Sequence, residues 1–276
     1  MRDVVREAFF ADTAGGARFC LLTRPSGPPK GGLLFVPPFA EEVNKSRRMV
    51  TVAVQAFAAQ GWAVLQLDLK GCGDSAGDFG DVAWADWVAD VGFGWRLLRE
   101  RLGAEAPMAV WTLRGGSLLV ADWLAAEAVA PPCLMWQPVS NGKQHLTQFL
   151  RLKAANEMLS DSDARTVMAR LRSELAQSQP VEVAGYTIAP ALATGLDACL
   201  LRFPVAYAGP ITIVEMSMAE PQTTSPAIAL AIEKWREGGV DVRSHAVQGP
   251  AFWQAQEIEV APAAIEPSVQ FLRDLA

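Results

Sequence analysis

The chain has 276 residues, 51% of them hydrophobic and 20% charged, with a formal net charge of −6. That is enough apolar material for one large core, an α/β unit plus an insertion, and the acidic balance argues against nucleic acid or an anionic membrane as a partner. No 18-residue apolar run predicts a transmembrane segment, and the stretch from Met1 to Glu7 lacks the apolar core of a signal peptide, so the expected location is cytoplasmic.

Residues 7–12 and 17–24 read as strands joined at Gly15-Gly16, an antiparallel hairpin for a sheet edge. A Pro/Gly loop leads from Pro25 to a buried strand, Gly32 to Val36, closed by Pro37-Pro38. Phe39 to Met49, rich in charge, is expected to be a long polar loop before a helix from about Val50 to Ala59. Trp62 to Leu69 reads as a buried strand. Asp81 to Arg101 reads as an amphipathic helix whose Trp84, Trp87, Val91 and Trp95 face the core. A short apolar run, Met108 to Leu113, predicts a strand; it breaks at Gly115-Gly116 and resumes as a helix from Leu118 to Ala128. Strand, glycine-bearing turn and helix make the setting of a nucleophile elbow, yet its apex is Arg114, which cannot attack a carbonyl.

A further strand spans Cys133 to Trp136, and the repeated strand–helix order predicts a mostly parallel sheet with helices on both faces and ligands at the carboxyl ends of the strands. Alternation stops at Gln137-Pro138. Residues 140–204, with helices over 147–159 and 163–176 and an irregular segment over 181–186, are expected to form a helical cap inserted between core segments 1–139 and 205–276. The α/β pattern returns with Ile211 to Met216, a helix from Pro226 to Glu237, a strand from Val240 to Val247 and a helix over 262–274. Four cysteines, Cys20, Cys72, Cys133 and Cys199, lie far apart with no CxxC pair, so neither a metal site nor a disulfide frame is suggested, and no cofactor is called for.

This layout resembles the α/β-hydrolase fold, and the Asp68-x-x-Gly71-x-Gly73-x-Ser75 loop resembles the serine-aminopeptidase and lysophospholipase branch. More narrowly, the run from Val36 to Met49 is similar to a signature of the exosortase A system-associated hydrolase 2 family. So are Gln148 to Leu152, Val183 to Tyr186 and Phe252-Trp253. The resemblance implies a bacterial cytosolic hydrolase of ester, thioester or amide bonds, linked to exopolysaccharide production and to a partner protein of an exosortase system. A fold by itself does not license a reaction.

Such an enzyme needs a nucleophile at the elbow, an acid after a later strand and a histidine in a loop near the C-terminus. The chain has only two histidines. His245 lies inside a predicted strand, and Phe252 or Trp253 stands where the catalytic histidine belongs. The acid position offers Glu215 and Glu220, without a base to orient. His145, at the entry to the cap beside Gln144 and Asn141, is the histidine with a route to the site; a cap-surface position is the alternative.

The expected oxyanion-hole donors are the N–H groups of Gly115 and of Phe39, the first residue after Val36 able to donate, since Pro37 and Pro38 lack an N–H. Ser117 is the alternative nucleophile, or caps the helix; Cys72 is a weaker one. A buried Arg114 needs a partner, and Glu41 and Glu42, in the loop after the neighbouring strand, supply it. Two readings stay open: a structural Arg–Glu pair fills the vacant triad site, or Arg114, with Gly115, Gly116 and the helix N-terminus, grips a small anionic or acyl ligand, with Lys45, Arg47 and Arg48 extending the grip.

Overall fold

The computed structural model describes residues 4–127, 129–158 and 163–276. Strands β1 (Val4–Thr13) and β2 (Gly16–Pro25) form the expected antiparallel hairpin at one sheet edge. Then follow β3 (Gly31–Val36), α1 (Glu41–Ala59), β4 (Trp62–Leu67), α2 (Trp84–Leu102), β5 (Met108–Leu113), α3 (Gly116–Ala126) and β6 (Cys133–Trp136). Between β6 and the next sheet strand run α4 (Gly142–Met158), α5 (Ala164–Ala176), a small hairpin of β7 (Val181–Val183) and β8 (Tyr186–Ile188), and α6 (Pro190–Ala198). The main pattern resumes with β9 (Ile211–Ser217), α7 (Pro226–Glu237), β10 (Val242–Gln248) and α8 (Ile265–Asp274).

The eight-stranded sheet has the order β1-β2-β4-β3-β5-β6-β9-β10, antiparallel over β1, β2 and β4 and parallel from β4 onward. The parallel strands β3, β4, β5 and β6 are apolar on both faces, as a sheet covered twice requires. One face packs on α2, α3 and α7 through Trp87, Val91, Leu118 and Ile232; the other packs on α1 and α8 through Phe57, Met49, Val269 and Leu272. Trp84, Trp87 and Val91 are buried as expected, while Trp95 is half-buried against Trp123.

The chain leaves β3 for β4 on one side and returns to β5 on the other, so the strand order reverses between β3 and β5. Ligand crevices of open α/β sheets lie at such a reversal. Here its walls are the loop 37–40 and the turn 114–115.

The segment from Phe39 to Met49 departs most from expectation. It is helical from Glu41, not a polar loop. Glu42, Ser46, Met49, Val50, Ala53, Val54 and Phe57 form one buried stripe at helical spacing, so the charged residues between them are the helix's wet face. Ala40 offers no side-chain cap, and Glu41 and Glu42 in the first turn complement the helix dipole instead. Glu41 and Glu42 therefore project from a rigid helix and not from a loop. The helix after the elbow starts at Gly116 and ends at Ala126; the expected end, Ala128, lies outside the described residues, as does Leu159 of the helix expected over 147–159. The irregular segment at 181–186 is the β7–β8 hairpin, and α6 was not anticipated at all.

Candidate functional site

The elbow forms as the sequence implies. Arg114 follows β5 directly and sits at φ 51°, in the left-handed region that non-glycine residues rarely adopt. Its N–H donates to the Trp136 carbonyl (3.0 Å), tying the turn to the end of β6. Gly116 is needed for close approach: a Cβ there would lie 2.5 Å from the Val36 carbonyl oxygen. Gly115 makes room of another kind, since its Cβ would meet His145 Nε2 at 3.1 Å. Three neighbouring strand ends carry the same backbone signature, with Ala40 at φ 49° after β3 and Gln137 at φ 43° after β6. Such residues cluster at functional sites.

Arg114 Nε donates to Glu42 Oε1 at 3.1 Å, an ion pair that is largely buried. The guanidinium lies over the Trp253 ring, 5.2 Å from its centroid, and Trp253 packs edge-on against the buried Phe252. The terminal amino groups of Arg114 donate to no protein atom among the described residues. Burial pushes the Glu42 carboxyl up to about 7 even beside Arg114, and raises that of Glu41 as well. Among the described residues, Glu42 Oε2 and Glu41 Oε2 are buried without a hydrogen-bond partner.

His145 reaches the site from α4. It is 5% exposed, edge-on to Phe39 at 5.8 Å between ring centroids, and neither ring nitrogen has a partner among the described residues. Burial, reinforced by the charge of Arg114, depresses its pKa to about 3, so the imidazole is neutral at ordinary pH. Two unpartnered nitrogens in a dry setting are costly, by about 1–3 kcal/mol each. The N–H groups of Phe39 and Gly115 likewise find no acceptor among the described residues.

Ser117 does not stand at the tip of the turn. It is fully buried one residue into α3, its hydroxyl 2.8 Å from the Arg114 carbonyl and bonded to the Val139 backbone, where it accepts from the N–H at 3.1 Å. Glu215 accepts both the N–H (2.8 Å) and hydroxyl (2.7 Å) of Ser225 and so anchors the start of α7. His245 is exposed on the edge strand β10. Cys72 is half-buried, and burial pushes its thiol up to about 12.

Arg114, His145 and Gln148 line two hollows. One, of 140 Å³, also has Glu41, Glu42, Lys45 and Phe149 in its wall. The other, of 200 Å³, is lined by polar side chains including Gln137, Asn141 and Gln144. Gln137 has a second role that the sequence did not disclose: its Oε1 accepts the Met216 N–H at 2.7 Å, bracing the neighbouring strand. Of the basic run, Lys45 borders this cleft, whereas Arg47 and Arg48 are exposed and do not line it. Among the described residues no cluster of His, Cys, Asp and Glu fits a metal ion.

The strand order, the crevice at its reversal and the turn after β5 together define the α/β-hydrolase fold. Solved structures of that fold match along almost the whole chain. Est1E from Butyrivibrio proteoclasticus, with ferulic acid bound, superposes with a TM-score of 0.71 at 15% identity, over 97% of this chain and 99% of its own. A thermostable carboxyl esterase from Bacillus coagulans gives 0.65 at 12% identity, over 100% and 99%. Mouse alpha/beta hydrolase domain-containing protein 10 gives 0.61 at 16%, over 98% of each chain. Neither a protein-family model nor a curated protein matches the sequence. Among the described residues no helix is long and apolar enough to cross a membrane.

Proposed function

We propose that this α/β-hydrolase fold works as a binding protein, holding a small anionic or acyl ligand in the cleft between Arg114 and His145. One observation carries the reading: a free guanidinium edge and a buried, doubly unpartnered imidazole flank the two free N–H groups of the vestigial oxyanion hole. A carboxylate or phosphate accepts at once from the guanidinium edge, the two backbone N–H groups and the single N–H of the neutral imidazole. The Arg114–Glu42 pair is the scaffold of the grip and not a rival to it, since it engages Nε and leaves the terminal amino groups to the ligand. Residues 140–204 act as the cap, contributing His145, Gln148 and Phe149.

The chain's place in the exosortase A system-associated hydrolase 2 family rests on the run from Val36 to Met49, whose Phe39, Glu41, Glu42 and Lys45 border the cleft. In that reading it works in the cytoplasm, and a partner protein of the exosortase system is its customer. The esterase names of some structural relatives support the alternative, ester hydrolysis through Ser117 or another unorthodox nucleophile.

The test combines calorimetry with acetate, hexanoate and inorganic phosphate, p-nitrophenyl esters, and a fluorophosphonate probe. Saturable binding of one of the anions, lost in Arg114→Gln, with no ester turnover and no label, is the expected result. Labelling that Ser117→Ala removes overturns it.

A further inference from the structure

A further hollow lies on the far side of the Pro37-Pro38 wall from His145. It measures 230 Å³ and opens between α1 and the sheet face of β2, β4 and β3. Its floor is mostly apolar, formed by Phe19, Leu21, Phe35 and Val50, with the polar Gln66 beside its cross-strand partner Leu21. Phe19 and Leu21 are only half-buried because α1 covers this face of the sheet incompletely, while Cys20 and Leu22, on the opposite face, are buried. An apolar recess left open in this way is where a small molecule gains most from burial.

The polar groups of this recess are unusual. Ser46, on the buried stripe of α1, is 1% exposed, and its hydroxyl has no partner among the described residues. At the rim stand Arg47, Asp68 and Asp74, near enough for Arg47 and Asp74 each to act on the ionisation of Asp68. The Arg47 guanidinium and the Asp74 carboxylate make no hydrogen bond or ion pair among the described residues, and the Asp68 carboxylate accepts only the Asp74 N–H, at 3.1 Å through Oδ2. The carboxylates are held in place: the Ser75 hydroxyl donates to the Asp68 carbonyl (2.5 Å) and accepts the Phe19 N–H (2.9 Å), fastening the loop to β2. Arg47 and Asp68 also line an adjoining hollow of 380 Å³, so the charges stand at the junction of two cavities.

We propose that this recess binds a free α-amino acid with an apolar side chain: the side chain on the Phe19–Leu21–Val50 floor, the ammonium at Asp68 and Asp74, and the carboxylate at Arg47, with the buried Ser46 hydroxyl meeting one of its polar atoms. A simple acid leaves the two aspartates unanswered, and a simple amine leaves the arginine so. Only a zwitterion on a short apolar stem satisfies both signs over a floor of this kind. The site is separate from the Arg114 cleft and owes nothing to the function proposed there.

Calorimetry on the full chain with L-leucine and L-phenylalanine tests it. The comparisons are 4-methylpentanoate, which lacks the ammonium, and 3-methylbutylamine, which lacks the carboxylate. Leucine is expected to bind saturably, each analogue about tenfold weaker or worse, since each forfeits a charged hydrogen bond. Asp74→Asn, at an exposed position, should erase the preference over 4-methylpentanoate, and Arg47→Gln the preference over the amine. Ser46→Ala should weaken leucine several-fold, and Arg114→Gln should leave it unchanged. Absence of saturable binding by either amino acid, equal binding by the analogues, or loss of leucine binding in Arg114→Gln overturns the assignment. The last result would move the ligand to the elbow without deciding whether an anion binds there, so the two sites fail separately.

Discussion

Glu42 and His145 face the same cleft and pull stability in opposite directions as pH changes. The folded pKa of Glu42 is raised to about 7 from an ordinary 4.5, so between those values the folded chain keeps a proton that the unfolded chain has released, and stability falls as pH rises. His145 is depressed to about 3 from 6.5, so there the unfolded chain takes up a proton that the folded chain refuses, and stability rises with pH. The windows overlap from pH 4.5 to 6.5. At about 1.4 kcal/mol per pH unit, each group is worth about 3 kcal/mol across that overlap, and the two cancel. Glu42→Gln removes the falling half, so its unfolding free energy should gain about 3 kcal/mol over the wild type's on going from pH 4.5 to 6.5; His145→Gln should lose as much relative to wild type. Both are read as variant minus wild type in urea denaturation at stepped pH, which removes the background from other buried carboxylates such as Glu41 and Asp90. Two curves that run parallel to the wild type's would refute the assignment of these protonation states.

The same carboxyl should show in binding. Ionised Glu42 repels an anion held on the free edge of Arg114, so affinity for the anion should rise as pH falls from 8 to 6, with proton uptake visible as a buffer-dependent heat in calorimetry. Ser117→Ala should leave any esterase background untouched yet destabilise the fold by about 1–3 kcal/mol in thermal unfolding, because it strands the Val139 N–H that the hydroxyl satisfies. Gly116→Ala forces a methyl against the ends of β3 and should cost about 1–3 kcal/mol or prevent folding, whereas Gly115→Ala, whose methyl meets only His145 and Phe39 side chains, should fold and weaken anion binding.

Much of the fold was legible because its signals are local. The apolar run from Met108 to Leu113, the glycines that follow it and the strand–helix alternation state the elbow and the parallel sheet without help from distant residues. The stretch after Phe39 was misread for an equally physical reason: a helix lying on a core with one narrow stripe presents mostly charge to the reader, and Ser46 and Glu42 in the stripe disguise its period. At the site, the pairing of Arg114 with Glu42 followed from the need of a buried cation for a partner, and it held even though the helix replaced the loop. What no spacing announces is convergence across the chain. That Trp253 would lie against Arg114, that His145 would be left with both nitrogens idle, and that Gln137 would brace β9 are consequences of loops meeting over the sheet.

The backbone at Ala40, Arg114 and Gln137 has a consequence for heat resistance. A left-handed conformation at a non-glycine residue costs of order 1 kcal/mol, and this chain incurs it three times around one opening. That strain sits at one opening, where the ends of β3, β5 and β6 meet. At Ala40, where only a methyl is at stake, glycine should raise the melting temperature while leaving every polar group of the cleft in place. A screen for thermostable variants should find its first gains around this mouth and not in the layers beneath it.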